Sequence, residues 1–424
     1  MTIKHPRPDL VRRINLMGES VGGAHHLISL DPEEMLQIAQ DSTGLSDFGD
    51  SLMGDDSWRE AYYKQVECFD KQGDLTTIGR LMTRQEFIRL LRTRLMLMDA
   101  HIKNPDIGKI EIEKPVFIIG NSRTGTTILH ELLALDPNLR APLAWETLHP
   151  LPLDNSSENA DTKPSRAEIG ECEQDIWANI VPEFAAVHEY SAYVPMECLT
   201  MMGLEFTSGL ASTTGKIDEF MMWRAGTDPR PGYRMHKRFL QLLQSQQPHK
   251  NGKPYRWLLK SPVHLMTMST LFEEYPDASV IHTHRDPVKT VASTISTVAT
   301  TRYIRTEDPD PTQLTPNVSI GFQMALEMIY QQRQDGSIPD QQIADLHYSD
   351  FMQGAVNAIK NSYKKLDIVF DDQLEQAMQN YLDNKPQGKH GKHHYAPEDF
   401  GLSSETLREQ FSTYMGYYGV KENV

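Results

Sequence analysis

Residues 116–137 read VFIIGNSRTGTTILHELLALDP. The β-branched and aromatic run from Val116 to Ile119 predicts a buried strand. Gly120 ends it, a polar turn follows, and apolar periodicity from Thr126 predicts a helix. Strand, loop and helix in that order aim backbone N–H groups and a helix N-terminus at an anion. Gly120 and Gly125 bracket four residues, the spacing of a phosphate-cradling P-loop. That pattern continues with Lys and then Ser or Thr, whereas this chain has Thr126 and Thr127 and carries its cation earlier, at Arg123. Without the lysine, the loop lacks the point charge that NTPases set on the β- and γ-phosphates. Arg123 offers instead a planar fork suited to a terminal oxyanion. The combination points to a phosphate-type donor other than plain ATP.

Further strands are predicted at 256–260 (RWLLK), 279–283 (SVIHT) and 343–347 (IADLH), each followed by a helical pattern or a turn. Strands alternating with helices imply an α/β fold, a P-loop-like parallel β-sheet flanked by helices on both faces. Upstream, residues 31–103 carry helical periodicity only. Asp31-Pro32-Glu33-Glu34 opens one helix, and Thr83 with Glu86 forms a capping-box pattern before FIRLLRTRLMLM. The expected division is an all-helical N-terminal segment over 1–110 and an α/β domain over 111–424. Residues 153–168, polar and rich in Pro, Ser and Asn, read as an exposed loop. The methionine-rich run 196–202, with Met221-Met222-Trp223, reads as core helix; an adaptable apolar pocket is the alternative.

Two more constellations carry chemistry. In WLLKSPVH a buried-type strand delivers Lys260 at its carboxyl end, where open α/β sheets place ligands. In ASVIHTHRDP, Arg285 leaves the end of the next strand, and Ser293 lies eight residues on along the following helix, so both could grip one phosphate. Asp286-Pro287 is also ordinary helix-start chemistry.

The set GNSRTGTT, LLKSPVHL and HTHRDPVKTVAS resembles the sulfotransferases that use 3′-phosphoadenosine-5′-phosphosulfate (PAPS), in particular their bacterial, tyrosylprotein-sulfotransferase-like branch. The resemblance covers residues 112–424. It implies the sulfotransferase fold and transfer of a sulfuryl group from PAPS to a hydroxyl or amine, leaving adenosine 3′,5′-bisphosphate. It assigns Arg123, Thr124, Gly125, Thr126 and Thr127 to the 5′-phosphosulfate, and Arg285 and Ser293 to the 3′-phosphate. Tyr348 resembles the tyrosine near the adenine, and Lys389 and Lys392 the lysines of a closing C-terminal loop. Cytosolic members stack a tryptophan on the adenine where this chain has Ile128.

In-line sulfuryl transfer rests on positioning and charge stabilisation, roles that fit Arg123 and Lys260, and it implies no metal. The attacking group needs a general base. Glu146, in AWET, stands where the tyrosylprotein branch carries its glutamate and is preferred, with Trp145 beside it to desolvate the carboxylate. His264, four residues after Lys260, is the alternative, and His188 a third. His393 and His394 belong to the closing loop or the surface. A P-loop kinase is disfavoured by the missing lysine; a catalytically silent nucleotide-binding protein would tolerate loss of Arg123 and Lys260.

The 424 residues carry 42 Lys and Arg against 58 Asp and Glu, a formal charge of −16. This disfavours sequence-independent nucleic-acid binding and requires any anion to be held by a local cluster. Three widely spaced cysteines fit a reducing compartment. No stretch approaches the roughly 20 apolar residues of a membrane span, so a soluble, cytoplasmic protein with no membrane partner is expected. The acceptor is expected to be a small, partly apolar molecule. The N-terminal segment would cover the acceptor site or pack on a second subunit of a homo-oligomer.

Overall fold

The computed structural model describes residues 7–152, 164–187, 190–307, 309–385 and 396–422. Its centre is a five-stranded sheet: β1 Val116–Ile119, β2 Leu139–Arg140, β3 Arg256–Lys260, β4 Ser279–His284 and β5 Ile343–His347. The order is β2-β3-β1-β4-β5 and every pairing is parallel. β1 reads as an unbroken apolar run because both faces of this central strand are covered, whereas β3, β4 and β5 also carry polar residues, Asp345 of the edge strand β5 reaching solvent. All four strands read from the sequence are present. The fifth, β2, has two residues, too few to leave a periodic signal.

The two faces bury separate clusters. On one, Val116, Ile118, Leu258 and Ile281 pack against Leu129, Leu132 and Leu133 of helix Thr126–Leu133 and against Ile359, Tyr363 and Met378 of helices 355–365 and 372–384. On the other, Phe117, Ile119, Trp257, Leu259 and Val280 join a larger cluster with Trp58, Tyr62, Leu91, Leu95 and Met98 of the N-terminal helices. The helical segment and the sheet thus share one core, in which Cys198, Met201 and Met202 are also buried, as the core reading of 196–202 expects, whereas Met222 of the companion stretch is 71% exposed and departs from it.

One helix start differs from the sequence pattern. Helix Thr77–Lys103 begins six residues before Thr83, capped by Thr76, whose Oγ1 accepts from Gly79 N at 3.0 Å. Thr83 and Glu86 are mid-helix and face inward. Both accept from Arg305, Thr83 Oγ1 at 3.1 Å and Glu86 Oε2 at 2.5 Å, so the capping-box spacing is a docking point for the arginine. Arg94 of the same helix is fully buried, paired with Glu205 at 2.7 Å and donating to the carbonyls of Phe48 and Leu204. The polar loop ends earlier than read: Ser165 and Glu168 form a true capping box that starts helix Arg166–Ile180, while 153–163 lie outside the described residues. Cys68, Cys172 and Cys198 are all free thiols. Among the described residues no helix is long and apolar enough to cross a membrane.

Candidate active site

The carboxyl ends of β3, β1 and β4 lie side by side at the middle of the sheet, the place where open α/β sheets bind ligands. The loop after β1 is shaped by residues that tolerate unusual backbone. Gly120 has φ +152°, and a Cβ there would sit 2.0 Å from Thr283 Oγ1, so only glycine lets the loop pass this close to β4. Thr124, buried, donates to Asn121 O at 2.7 Å and lies 2.6 Å from Thr283 Oγ1, pinning the turn from inside. Arg123 itself adopts a left-handed conformation, φ 70°, a strain of about 1 kcal/mol that the pinned turn sustains. Gly125, φ +87°, opens helix Thr126–Leu133, with the Tyr348 ring 3.1 Å from where its Cβ would stand.

Arg285 leaves β4 directly beside this loop. Its Nη1 donates to Arg123 O at 2.7 Å, and its guanidinium lies 4.0 Å over the Tyr348 ring centroid. Arg123 Nε in turn donates to Ser293 Oγ at 3.0 Å. Ser293 is buried on helix Pro287–Tyr303, whose start is capped by Asp286 accepting from Val288 N. Arg123, Gly125, Arg285, Ser293 and Tyr348, scattered over 226 residues of sequence, therefore stand together. Thr127 is exposed at the loop mouth and Thr126 half-buried. Lys389 and Lys392 lie outside the described residues, as do His188, His393 and His394.

Lys260 ends β3 in register with Ile118 of β1, and its Nζ forms an ion pair with Glu197. Lys260 is nearly buried, while the Glu197 carboxylate keeps 22% exposure. Glu197 is held there because Met196 N donates to Pro142 O at 2.8 Å and Ala144 N to Val194 O at 3.0 Å, lacing the segment before it to the segment after β2. His130, on the loop-following helix, is fully buried. Burial first, and Lys260 second, push its pKa down to about 3.

Glu146 and His264 are placed elsewhere. Glu146 Oε1 accepts from Arg140 Nη2 at 2.5 Å and Oε2 from Leu143 N at 2.9 Å. Arg140 lies over Trp257, three residues before Lys260, so the pair sits back along β3 from the strand end. His264 is fully buried, its Nδ1 2.7 Å from Tyr233 OH and its ring edge-on to Phe117; burial drives its pKa well below the ordinary histidine value. Sequence reading passed over Glu197: it sits 63 residues from Lys260 within an apolar run, with no spacing pattern to mark it.

A model of the Sulfotransferase family matches residues 115–372. The omega-hydroxy-beta-dihydromenaquinone-9 sulfotransferases Stf3 of Mycobacterium bovis and Mycobacterium tuberculosis are each 26% identical over 210 residues, 43% of this chain and 45% of theirs. The matched stretch thus spans under half the length of those curated relatives. Among solved structures, the sulfotransferase STF1 of Mycobacterium tuberculosis superposes with a TM-score of 0.74 at 26% identity, covering 90% of this chain and 98% of that one. STF9 of Mycobacterium avium, at 24% identity, shares the fold with a TM-score of 0.76 over 92% and 97% of the two chains.

Proposed function

The chain belongs to the sulfotransferase family, and on that premise we propose that it transfers a sulfuryl group from PAPS to a hydroxyl group of a small, partly apolar acceptor. The observation that carries the donor assignment is the contact of the two anion grips: Arg285 bonded to the Arg123 carbonyl, and Arg123 bonded to Ser293. A single nucleotide with phosphates at both ends of its ribose spans such a pair. When bound, PAPS supplies a sulfuryl group on a phosphate leaving group together with a second phosphate at the 3′ position.

The residues present fit that group. Gly120 and Gly125 allow the loop's positive-φ backbone and its close approach to Thr283 and Tyr348, and the Nε of Arg285 is buried with no hydrogen-bond partner among the described residues, a donor that an anion would satisfy. Arg285 and Ser293 hold the 3′-phosphate. Tyr348, already stacked on Arg285, flanks the base, and the N-terminus of helix Thr126–Leu133 with Thr126 and Thr127 cradles the 5′ end. The resemblance adds Lys389 and Lys392 as a closing loop.

In the reaction Lys260 stabilises the charge that grows on the oxygen leaving sulfur, while Arg123 holds the sulfuryl oxygens. Lys260 would then turn from Glu197 toward the donor, which frees a partly exposed carboxylate next to the transferring group. We assign the general base to Glu197 on that ground. The carboxylate oxygens of Glu146 are taken by Arg140 and Leu143 N, and His264 is sealed under the sheet. A hydroxyl on an apolar skeleton is the favoured acceptor class, in keeping with the omega-hydroxylated quinone named for the Stf3 relatives.

Calorimetric titration with adenosine 3′,5′-bisphosphate and with AMP tests the donor assignment. The bisphosphate should bind at least tenfold more tightly, about 1.4 kcal/mol. Equal affinities would remove the 3′-phosphate site and the reading with it.

A further inference from the structure

We propose that His282, His284 and Asp345 form a binding site for a divalent ion of the Zn²⁺ type, on the side of β4 and β5 away from the loop after β1. The proposal is independent of the sulfuryl-transfer reading.

The strands build the site. His282 and His284 are two residues apart on β4, so both rings leave the same face of the sheet. Parallel pairing sets Asp345 of β5 opposite His282, and His347 opposite His284. One donor atom from each of His282, His284 and Asp345 lies within 4.8 Å of the others. His284 Nε2 is 2.9 Å from Asp345 Oδ1, and His282 Nδ1 is 3.9 Å from the same oxygen. Donors around a tetrahedral Zn²⁺ at about 2.0–2.1 Å stand roughly 3.3 Å apart, which these two distances bracket.

His282 supplies the independent sign. It is fully buried, and neither ring nitrogen has a hydrogen-bond partner among the described residues. A buried imidazole normally satisfies at least one nitrogen, and an ion bonded to Nδ1 does so here. Two imidazoles and one carboxylate are the ligand types that suit Zn²⁺, Co²⁺ or Ni²⁺ over Mg²⁺ or Ca²⁺.

The outer contacts match those of metal ligands. His284 Nδ1 faces Tyr414 OH at 3.2 Å. When an ion takes Nε2, the ring proton moves to Nδ1 and is donated to the Tyr414 oxygen, so the tautomer changes without net proton loss. Arg333 grips Asp345 from outside, Nη1 to Oδ1 at 2.7 Å and Nη2 to Oδ2 at 3.1 Å. Its positive charge weakens the ion's binding, while its fork fixes the carboxylate in a bridging pose. Asp345 keeps 31% side-chain exposure, which provides the entry path, and half-buried His347 or water completes four ligands. Arg285 directly follows His284 and Tyr348 directly follows His347, so an ion here stiffens the two strand ends that carry those residues.

The test uses the full chain, stripped with a chelator and titrated at neutral pH with Zn²⁺ by calorimetry and with Co²⁺ by visible absorption. One ion per chain is expected, with Co²⁺ bands typical of four-coordinate nitrogen and oxygen ligation. His282→Gln should weaken binding at least about tenfold, as loss of a ligand must exceed the roughly 10–100-fold of an outer contact. His25→Ala, on an exposed histidine, should leave it unchanged. Should His282→Gln fail to fold, the isosteric Asp345→Asn decides in its place. Absence of stoichiometric binding by the wild type, or unaltered binding in whichever of these ligand variants folds, overturns the site.

Discussion

The guanidinium of Arg285 and the main chain of Arg123 are joined by a 2.7 Å hydrogen bond, so the end of β4 and the loop after β1 form one anion-facing surface. Arg285→Ala removes both this bond and the charge. It should weaken adenosine 3′,5′-bisphosphate by the ~1.5–3 kcal/mol of a charged hydrogen bond, about 10- to 150-fold, while AMP binding changes far less. Calorimetry on the two ligands separates these effects, and parallel losses would mean the variant had disturbed the whole loop.

Glu197→Gln should lower turnover about 10²–10⁴-fold, the usual contribution of a positioned base, with bisphosphate affinity retained. Glu146→Gln, by contrast, should act on stability: it breaks a buried pair with Arg140 yet keeps hydrogen-bonding capacity, so a loss of about 1–3 kcal/mol is expected with turnover nearly intact. The readout is transfer of radioactive sulfate from PAPS into extractable alcohols, alongside urea denaturation. A full-rate Glu197→Gln enzyme would return the base to Glu146.

Gly120→Ala drives a methyl group to 2.0 Å from Thr283 Oγ1 at a backbone angle that side chains avoid. Overpacking and strain of about 1–3 kcal/mol each should combine to roughly 3 kcal/mol or more. Gly252→Ala is the matched control: φ is +77° but no atom lies within 4 Å of the added carbon, so only the backbone term of about 1 kcal/mol applies. Thermal melting of the two variants should differ clearly; equal shifts would contradict the close approach of the loop to β4.

Acid should destabilise the protein well before its carboxylates titrate. Burial pushes His130 and His236 down to about 3, and lowers His264 and His282 as well. Free histidine titrates near 6.5, so below that pH the unfolded chain takes up protons that the folded chain refuses. Stability is therefore fully present above about 6.5 and is lost as pH falls toward about 3, each such histidine withdrawing up to about 1.4 kcal/mol per pH unit. Urea midpoints measured from pH 7.5 down to 4.5 should fall progressively, and a flat series would refute the neutral burial of these rings.

Local chemistry makes much of the fold legible in the sequence itself. β1, β3, β4 and β5 announce themselves as largely apolar or β-branched stretches followed by turns or helical patterns, while the pairing of Arg285 with Ser293 rests on the family resemblance. What stayed hidden depends on pairing across distance. Glu197 meets Lys260 only because the segment after β2 is laced to residues 192–196, and His282 meets Asp345 only through the register of β4 on β5. Thr83 and Glu86 misled for the same reason, since the arginine they serve lies more than two hundred positions downstream.

The union of the N-terminal helices with the underside of the sheet carries a practical lesson for anyone shortening this protein. A fragment cut to the stretch bearing the nucleotide motifs would lose Leu91, Leu95 and Met98 from the cluster that also holds Phe117, Trp257 and Leu259, and would strand Glu205 without Arg94. Such a piece would meet water with an oily flank and an orphaned charge, and its expected fate is the insoluble pellet.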